Sequence, residues 1–375
     1  MGRSSGASAF YEGIDFLRAA AVFLVLWSHG GPLVPAADHS LLYSQFFRPG
    51  FWGVTLFFSI SGFLIVGQLL DMASGRRDES LRVFIYRRCL RTMPTYWLTT
   101  LLVLVFGLAA WPGALQLLAN LLFVQDFAAI GSVLPVAWSL VIEVWSYLLF
   151  AGLAWGSRAL AYRASRNLDW FPLLRSWDSL LLVSLVCLPL VAALIRLDWA
   201  VQGASVQEIK QSFAPQIDAL AYGGMLAWLK RYQSPLFERL TRLRWLIPVC
   251  LLCMALATAT VPELFAAVQQ PVEARRVFWL AVVFYPCAGF LASLLLLSFW
   301  NFRYVSLFAP LAALCRALSR CSYSVYLLHV SLAAWLTSWG SGLGPFAAYL
   351  IGSILLGALG WRVLERPFTR LRYLL

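Results

Sequence analysis

Three charged or titratable side chains interrupt an apolar stretch near the amino terminus, GIDFLRAAAVFLVLWSHG at residues 13–30: Asp15, Arg18 and His29. Polar side chains inside apolar segments are costly, so they mark candidate functional positions. Arg18 and His29 are eleven residues apart, close to three helical turns, which would place both on one helix face about 16 Å apart along the axis. Because the unperturbed pKa of imidazole lies near neutrality, we interpret His29 as a general base. Arg18 and Asp15 would orient the substrate or the helix.

A structural interpretation of the same residues also stays open. Asp15 lies one turn before Arg18, near the predicted cytoplasmic start of the helix, where a carboxylate suits the helix dipole and pairs with a cation. Arg18 would then extend toward lipid headgroups. His29 would be a buried neutral imidazole.

A second candidate group is the arginine cluster in FIYRRCLRTMPTYWL, residues 84–98, where Arg87, Arg88 and Arg91 precede Pro94. Arg88 and Arg91 are related as i and i+3, so on a helix their guanidinium groups point the same way, just below a predicted membrane span. Guanidinium pairs bind phosphate in a bidentate manner, which favours a phosphate-bearing ligand. The alternative is an ordinary cluster of cytoplasmic positive charge.

Two further segments place polar groups inside apolar runs. Glu143 in VAWSLVIEVWSYLLF, residues 136–150, must either be protonated or meet a partner such as an arginine or histidine. In CSYSVYLLHV, residues 321–330, Ser322, Tyr326 and His329 recur at helical spacing as one polar stripe. Small-residue helix packing accounts for the serine but not for His329.

The elements that must position these groups are membrane helices. The 375-residue chain is 61% hydrophobic and 12% charged, with a mean hydropathy of +0.76, which excludes an ordinary water-soluble globule. Continuous apolar runs of about 20 residues predict an all-α polytopic protein with about ten transmembrane helices, and they lack the alternation of a membrane barrel. These runs lie at 14–33, 51–70, 95–111, 136–155, 179–196, 214–229, 245–261, 278–300, 318–337 and 344–364.

The distribution of Lys and Arg predicts the orientation. With the amino terminus inside, most cations fall on the cytoplasmic side, and both termini are predicted to be cytoplasmic. The net charge of +12 then reflects topology and anionic lipid, so no nucleic-acid partner is expected. No metal site is expected either, because the C-x-x-C of Cys250 and Cys253 lacks a second pair. The outer set comprises Arg48, Arg196, Lys210, Arg275 and Arg276.

Taken together and in this order, these segments resemble the membrane-bound acyltransferase 3 family, the surface-polysaccharide or nodulation-type O-acyltransferases. The resemblance covers nearly the whole chain. IDFLR followed by His29 resembles the family motifs L-D-G-L-R and R-x10-H, GVTLFFSISGFLI resembles F-F-x-x-S-G-F-L-I, and Arg88 with Arg91 resembles R-x-x-R. WSLVIEVWSY resembles W-S-L-x-x-E-E-x-x-Y, and SYSVYLLH and ERPF resemble later signatures of the family.

The resemblance implies transfer of an acyl group, most often acetyl, from cytoplasmic acyl-CoA to a hydroxyl of a cell-surface or exported glycan or glycoside. We also expect a bacterial inner-membrane location, no metal, and contact with membrane lipid. The residues matching His29 and Arg18 are essential in that family, and those matching Arg88 and Arg91 serve the donor. We group Arg87 with the donor site, Asp15 and Glu143 with the catalytic residues, and Ser61, Tyr326 and His329 with the polar pocket.

The sequence departs from the family pattern at two positions. Phe16 replaces the usual glycine, and Val144 replaces the second glutamate, so any acid role rests on Glu143 alone. We expect residues 1–375 to form one acyltransferase domain without an appended esterase-like domain. The protein would then acylate its acceptor directly or hand the group to a separate periplasmic transferase or polysaccharide export machinery.

A competing interpretation is a transporter or flippase. Glu143 and His329 would relay protons, and the arginines would bind an anionic lipid-linked substrate. The inverted halves typical of many transporters are not visible in the sequence. Binding of CoA distinguishes the two classes.

Overall fold

The computed structural model describes residues 4–34, 50–167, 176–260, 279–304 and 307–371, and these ranges contain helices and connecting turns but no β-strand. The predicted all-α class is confirmed. The helices are α1 Ser4–His29, α2 Gly50–Ala73, α3 Leu81–Val105, α4 Ala114–Leu121, α5 Trp138–Asn167, α6 Trp177–Val201, α7 Val206–Gln211, α8 Asp218–Tyr232, α9 Ser234–Leu240, α10 Leu246–Thr260, α11 Tyr285–Ser298, α12 Ala309–Thr337, α13 Leu343–Gly360 and α14 Arg366–Leu371. Turns of π-helix at Trp279–Phe284 and Trp361–Glu365 precede α11 and α14.

Every predicted apolar run overlaps a helix of the fold. Four helices of the described part of the chain are long and apolar enough to cross a membrane by length and composition alone: Gly50–Ala73, Trp138–Ser165, Trp177–Val201 and Leu343–Leu371. The number of crossings and the orientation of the termini stay predictions. Three members of the outer cation set, Arg48, Arg275 and Arg276, lie outside the described residues.

The centre of the bundle is α1, which packs against α2 on one side and α12 on the other. The most extensive contact in the bundle joins α2 to α8, and glycines make it possible. A Cβ at Gly62 would overlap the carbonyl oxygen of Leu220, and one at Gly223 would overlap the carbonyl oxygen of Ser59. Small residues let two backbones approach closely where lipid supplies no hydrophobic force between helices.

Two helices begin earlier than the apolar runs indicate. The first helix starts at Ser4 and ends at His29. Asp15 therefore lies in the interior of the helix, whereas the sequence had indicated a position near its start. The third helix starts at Leu81 and continues through Pro94, so the arginine cluster belongs to the same helix as the predicted span. Apolarity marks where lipid contact begins, whereas a helix with a polar end starts before it.

The segment ERPF does not stop the last helix. The chain passes through the π-helical turn Trp361–Glu365 into α14, where Pro367 occupies an early position that requires no intrahelical N–H bond. Glu365 is buried and accepts a hydrogen bond from the hydroxyl of Ser324 at 3.0 Å. Glu365 thus connects the end of the last long apolar helix to α12.

Candidate active site

Two adjoining cavities lie beside α1. The wider one, of about 390 Å³, is lined by charged residues of α1 and α3 and by the turn before α3, and we call it the arginine cavity. The narrower one, of about 80 Å³, lies between α1, α2, α3, α5 and α12, and we call it the inner cavity. Arg18, Leu64, Arg88 and Arg91 line both. The two cavities therefore meet at a wall of three guanidinium groups.

The two arginines of α3 reach this wall because of their helical spacing. The hydroxyl of Ser80 caps the helix by accepting from the backbone N–H of Val83 at 3.3 Å. One face of the helix then carries both Arg88 and Arg91 toward α1. The guanidinium of Arg88 lies 5.5 Å from the ring centroid of Phe84 and 5.6 Å from that of Tyr147. Stacking on two rings holds its planar fork in place.

Arg87 differs from its neighbours. Its Nη1 donates to Oε1 of Glu79 at 2.8 Å, and Arg77 pairs with the same carboxylate. Arg87 lines the arginine cavity but not the inner cavity. It therefore contributes to the rim of the wider cavity through an ion-pair cluster and lies apart from the wall of three guanidinium groups.

Asp15 and Arg18 are both held by hydroxyls of α12. Ser319 donates to Oδ1 of Asp15 at 2.8 Å, and Nη2 of Arg18 donates to Oγ of Ser322 at 3.0 Å. Among the described residues no ion pair within 4.0 Å joins Asp15 to Arg18, although the sequence had indicated one. Arg18 is thus oriented by the α1–α12 contact, and its guanidinium faces the cavities instead of the headgroups.

Glu143 meets hydroxyl groups within the inner cavity. Oε1 accepts hydrogen bonds from Ser61 at 3.1 Å and from Tyr147 at 2.9 Å. Tyr147 is one turn after Glu143 on α5, and Ser61 comes from α2. A carboxylate in an apolar span needs such donors, and hydroxyls provide them here where an arginine or histidine had been expected.

The opposite wall of the inner cavity carries Tyr326. Its hydroxyl shares a hydrogen bond of 2.7 Å with Oγ of Ser139. The neighbouring Tyr323 donates to the backbone oxygen of Thr92 at 2.8 Å and thereby ties α12 to α3. The hydroxyls of Tyr326 and Ser139 therefore provide hydrogen-bonding groups in a cavity that apolar residues such as Val54 and Phe58 also line.

The two histidines lie together, although 300 residues separate them in sequence. The rings of His29 and His329 are 4.9 Å apart in an edge-to-face arrangement. Nδ1 of His29 lies 3.0 Å from the backbone oxygen of Val25, and Nδ1 of His329 lies 2.7 Å from that of Tyr326. A carbonyl oxygen only accepts, so both Nδ1 atoms carry the proton and both Nε2 atoms present a lone pair.

The histidine pair lies outside the two cavities but next to the inner one. Neither imidazole lines the arginine cavity or the inner cavity, so Arg18 and His29 share a helix but not one of these cavities. The connection runs through Tyr326, whose ring lies 5.7 Å from that of His329. His329 is fully buried, and its Nε2 has no hydrogen-bond partner among the described residues, whereas His29 is exposed.

Sequence reasoning missed several residues of this site. Ser139 and Tyr147 belong to the segment that carries Glu143, and the i, i+4 spacing of Tyr147 from Glu143 was a usable signal. Tyr323 and Thr92 gave none, because their contact joins segments far apart in sequence. Lys210 of α7 was counted only as a loop cation, yet it contributes positive potential at His29, and burial lowers the pKa of Lys210.

The arrangement suits an anionic ligand with a slender extension. Three guanidinium groups outnumber the carboxylates of Asp15 and Glu143 around the shared wall, and a positive potential in a low-dielectric cleft attracts anions. The wide cavity would hold a bulky anionic part and the narrow polar cavity an extended chain. Beyond the narrow cavity lie two imidazole lone pairs available for proton transfer.

The chain is similar to known acyltransferases. A family model, acyltransferase 3, described as an acyltransferase domain, matches residues 11–362. The peptidoglycan O-acetyltransferase OatA of Listeria monocytogenes is 27% identical over 168 residues, which cover 39% of this chain and 25% of that protein. The match thus spans about a quarter of the length of this curated relative. No solved structure matches the chain.

Proposed function

The chain belongs to the acyltransferase 3 family, and from that premise we propose that it is an integral-membrane enzyme that moves an acyl group from cytoplasmic acyl-CoA to a hydroxyl of a cell-surface glycan. The observation that carries the proposal is the wall formed by Arg18, Arg88 and Arg91 between a wide and a narrow cavity. The similarity to a peptidoglycan O-acetyltransferase favours an acetyl group and a glycan acceptor.

The donor would enter with its phosphates in the arginine cavity. Guanidinium forks bind phosphate oxygens in pairs, and each charge-assisted hydrogen bond contributes about 1.5–3 kcal/mol. Arg88 and Arg91 are the primary contacts in this proposal, because they belong to one helix face and line both cavities. Arg87 serves at the rim through its pair with Glu79.

The slender arm that carries the thioester would extend through the inner cavity. Amide groups of such an arm need hydrogen-bond partners away from water. Glu143, Ser61 and Tyr326 offer acceptors and donors along this path. Glu143 would therefore position the donor, and the acid role indicated by sequence would be secondary because Val144 replaces a second carboxylate beside it.

The chemical step would use His29 as a general base. Its Nδ1–H donates to Val25, which fixes the tautomer and leaves Nε2 to accept a proton from the acceptor hydroxyl. The hydroxyl oxygen forms a bond to the thioester carbonyl carbon, the carbon–sulfur bond breaks, and the proton passes from His29 to the departing thiolate. An acyl-histidine intermediate on Nε2 is the alternative route.

His329, which is buried next to His29, would help to position this base. Its Nδ1–H is fixed by Tyr326, and its ring packs edge-on against that of His29. Nε2 of His329, which has no hydrogen-bond partner among the described residues, would accept a hydrogen bond from the acceptor hydroxyl. The exposure of His29 suits an acceptor that arrives from the outer side of a bacterial inner membrane.

The test uses the purified chain in lipid nanodiscs. Saturating acetyl-CoA should raise the melting temperature, because a ligand at 100 times its Kd stabilises the folded state by about 2.7 kcal/mol. His29→Ala should keep this stabilisation and lose acyl transfer to surface glycan, measured by mass spectrometry of glycans from cells with each variant. An absence of stabilisation by acetyl-CoA contradicts the donor assignment and favours a transporter. Full transfer by His29→Ala contradicts the base assignment.

A further inference from the structure

A third cavity lies at the predicted cytoplasmic ends of α5, α6 and α8 and shares no lining residue with the arginine or inner cavity. We call it the Arg158 groove. Its volume is about 590 Å³. Three arginines from three separate elements line it: Arg76 in the turn after α2, Arg158 of α5 and Arg231 of α8.

The charges of the Arg158 groove are only partly balanced from within the protein. Arg231 donates to Oγ of Ser74 at 2.8 Å and lies 3.7 Å from Asp71. The lining carboxylate Asp178 accepts from the hydroxyl of Ser176 at 2.5 Å. Among the described residues, no carboxylate lies within 4.0 Å of the guanidinium nitrogens of Arg76 or Arg158. The three arginines therefore exceed the carboxylates of Asp71 and Asp178 by one positive charge, which an external anion would balance.

The walls of the groove carry residues that are typical of a membrane interface. Trp177 and Tyr232 line it, with ring centroids 6.4 Å apart, and aromatic rings of this kind prefer the headgroup region of a bilayer. α5 and α6, which border it, are both long and apolar enough to cross a membrane. Val183, one and a half turns into α6 from Trp177, is 43% exposed. Apolar surface for acyl chains therefore adjoins the cationic groove.

We propose that the Arg158 groove binds the phosphate of an anionic phospholipid headgroup, with the acyl chains against α5 and α6. The phosphate lies between Arg76 and Arg158, and Arg231 forms the base of the groove. Basic pockets between membrane helices on the cytoplasmic side recognise such headgroups, and each nearby arginine contributes about 1 kcal/mol. A soluble phosphate would satisfy the cations but would leave the aromatic and apolar border unused.

The decisive comparison is between two arginines of the same helix. Arg158→Gln removes a groove cation, and Arg163→Gln removes an exposed cation of α5 that does not line the groove. Each protein is purified in detergent with added phosphatidylglycerol or phosphatidylcholine, and native mass spectrometry counts the retained lipids. We expect Arg158→Gln to retain phosphatidylglycerol about fivefold more weakly, the equivalent of one such contact. Arg163→Gln should behave like the unchanged protein.

Further measurements keep the result interpretable. Arg76→Gln, in an exposed turn, should give the same loss and serves if Arg158→Gln does not fold. Both groove variants should bind acetyl-CoA with the same Kd as the unchanged protein, because the groove shares no lining residue with the arginine or inner cavity. The lipid proposal is therefore tested independently of the donor proposal. Equal losses in the Arg158 and Arg163 variants would show a diffuse charge effect and overturn the proposal. Displacement of phosphatidylglycerol by excess inorganic phosphate, with phosphate alone giving the same stabilisation, would overturn the lipid in favour of a soluble anion.

Discussion

Removal of the Arg88 guanidinium should weaken donor binding more than removal of any arginine outside the cavities. Arg88 is held against two aromatic rings at 5.5 and 5.6 Å, so its fork is already oriented before the ligand arrives. Loss of one charge-assisted phosphate contact costs about 1.5–3 kcal/mol, which corresponds to roughly 10- to 150-fold in Kd. Arg88→Lys keeps the charge but loses the planar fork, and we expect about half of that free-energy loss.

The assay is isothermal titration calorimetry of acetyl-CoA with the protein in nanodiscs. Arg163→Gln is the control, because it removes the same charge from an exposed position outside the two cavities. A second ligand, S-acetyl-pantetheine, lacks the nucleotide phosphates and separates the two parts of the site. It should bind Arg88→Gln and the unchanged protein equally. An unchanged Kd for acetyl-CoA in Arg88→Gln, or an equal loss with the truncated ligand, would refute the assignment of phosphate to this wall.

Three further substitutions test other parts of the site and fold. Glu143→Leu leaves the buried hydroxyl of Tyr147 and the half-buried hydroxyl of Ser61 without this acceptor, at a cost of about 1–3 kcal/mol for the buried group, whereas Glu143→Gln keeps an acceptor oxygen. Glu143→Leu should therefore melt at a lower temperature than Glu143→Gln in nanodiscs, and equal melting temperatures would contradict the contact. His329→Leu should reduce glycan acylation at least about tenfold with the Kd for acetyl-CoA unchanged, and full activity would exclude a role for this ring. Gly62→Val should prevent correct packing of α2 on α8 and reduce the folded yield. Gly67→Ala on the same helix should be tolerated, because a Cβ there would lie 3.8 Å from the nearest atom, Cβ of Ala227. Equal yields of the two variants would contradict the close approach of the helices.

Much of the helical framework follows from apolarity alone. Each predicted apolar run overlaps a helix of the described part of the chain, because a continuous apolar segment in lipid satisfies its backbone hydrogen bonds by forming a helix. Helix ends were less accurate. Charged residues such as Glu12 in α1 and Arg87 in α3 interrupt the apolar pattern before the continuous runs begin, so the starts of both helices were missed and the placement of Asp15 near a helix start was wrong.

The site was predictable where spacing within one helix decided it. The i, i+3 relation of Arg88 and Arg91 was enough to place both guanidinium groups on one face. Contacts between different helices could not be predicted in this way. The partners of Glu143 and the apposition of His29 with His329 depend on which helices are neighbours, and no periodicity within a single segment encodes that.

The order of groups along the site is set by one pair of helices. Asp15 and Arg18 of α1 meet Ser319 and Ser322 of α12, and farther along both helices His29 meets His329. Residue numbers increase in the same direction along both helices in these contacts, so α1 and α12 run parallel.

The sequence predicts that both helices cross the membrane, and a parallel arrangement then requires an odd number of crossings between them. The seven predicted apolar runs from 51–70 to 278–300 meet that requirement. The same pairing fixes the arginine wall at one level of the bundle and the imidazoles about 16 Å away along α1. Because a helix does not shorten, a ligand must itself extend over that distance to be bound by its phosphates and attacked at its far end. This excludes a compact anion as the donor in the proposed reaction and favours a carrier with a long arm.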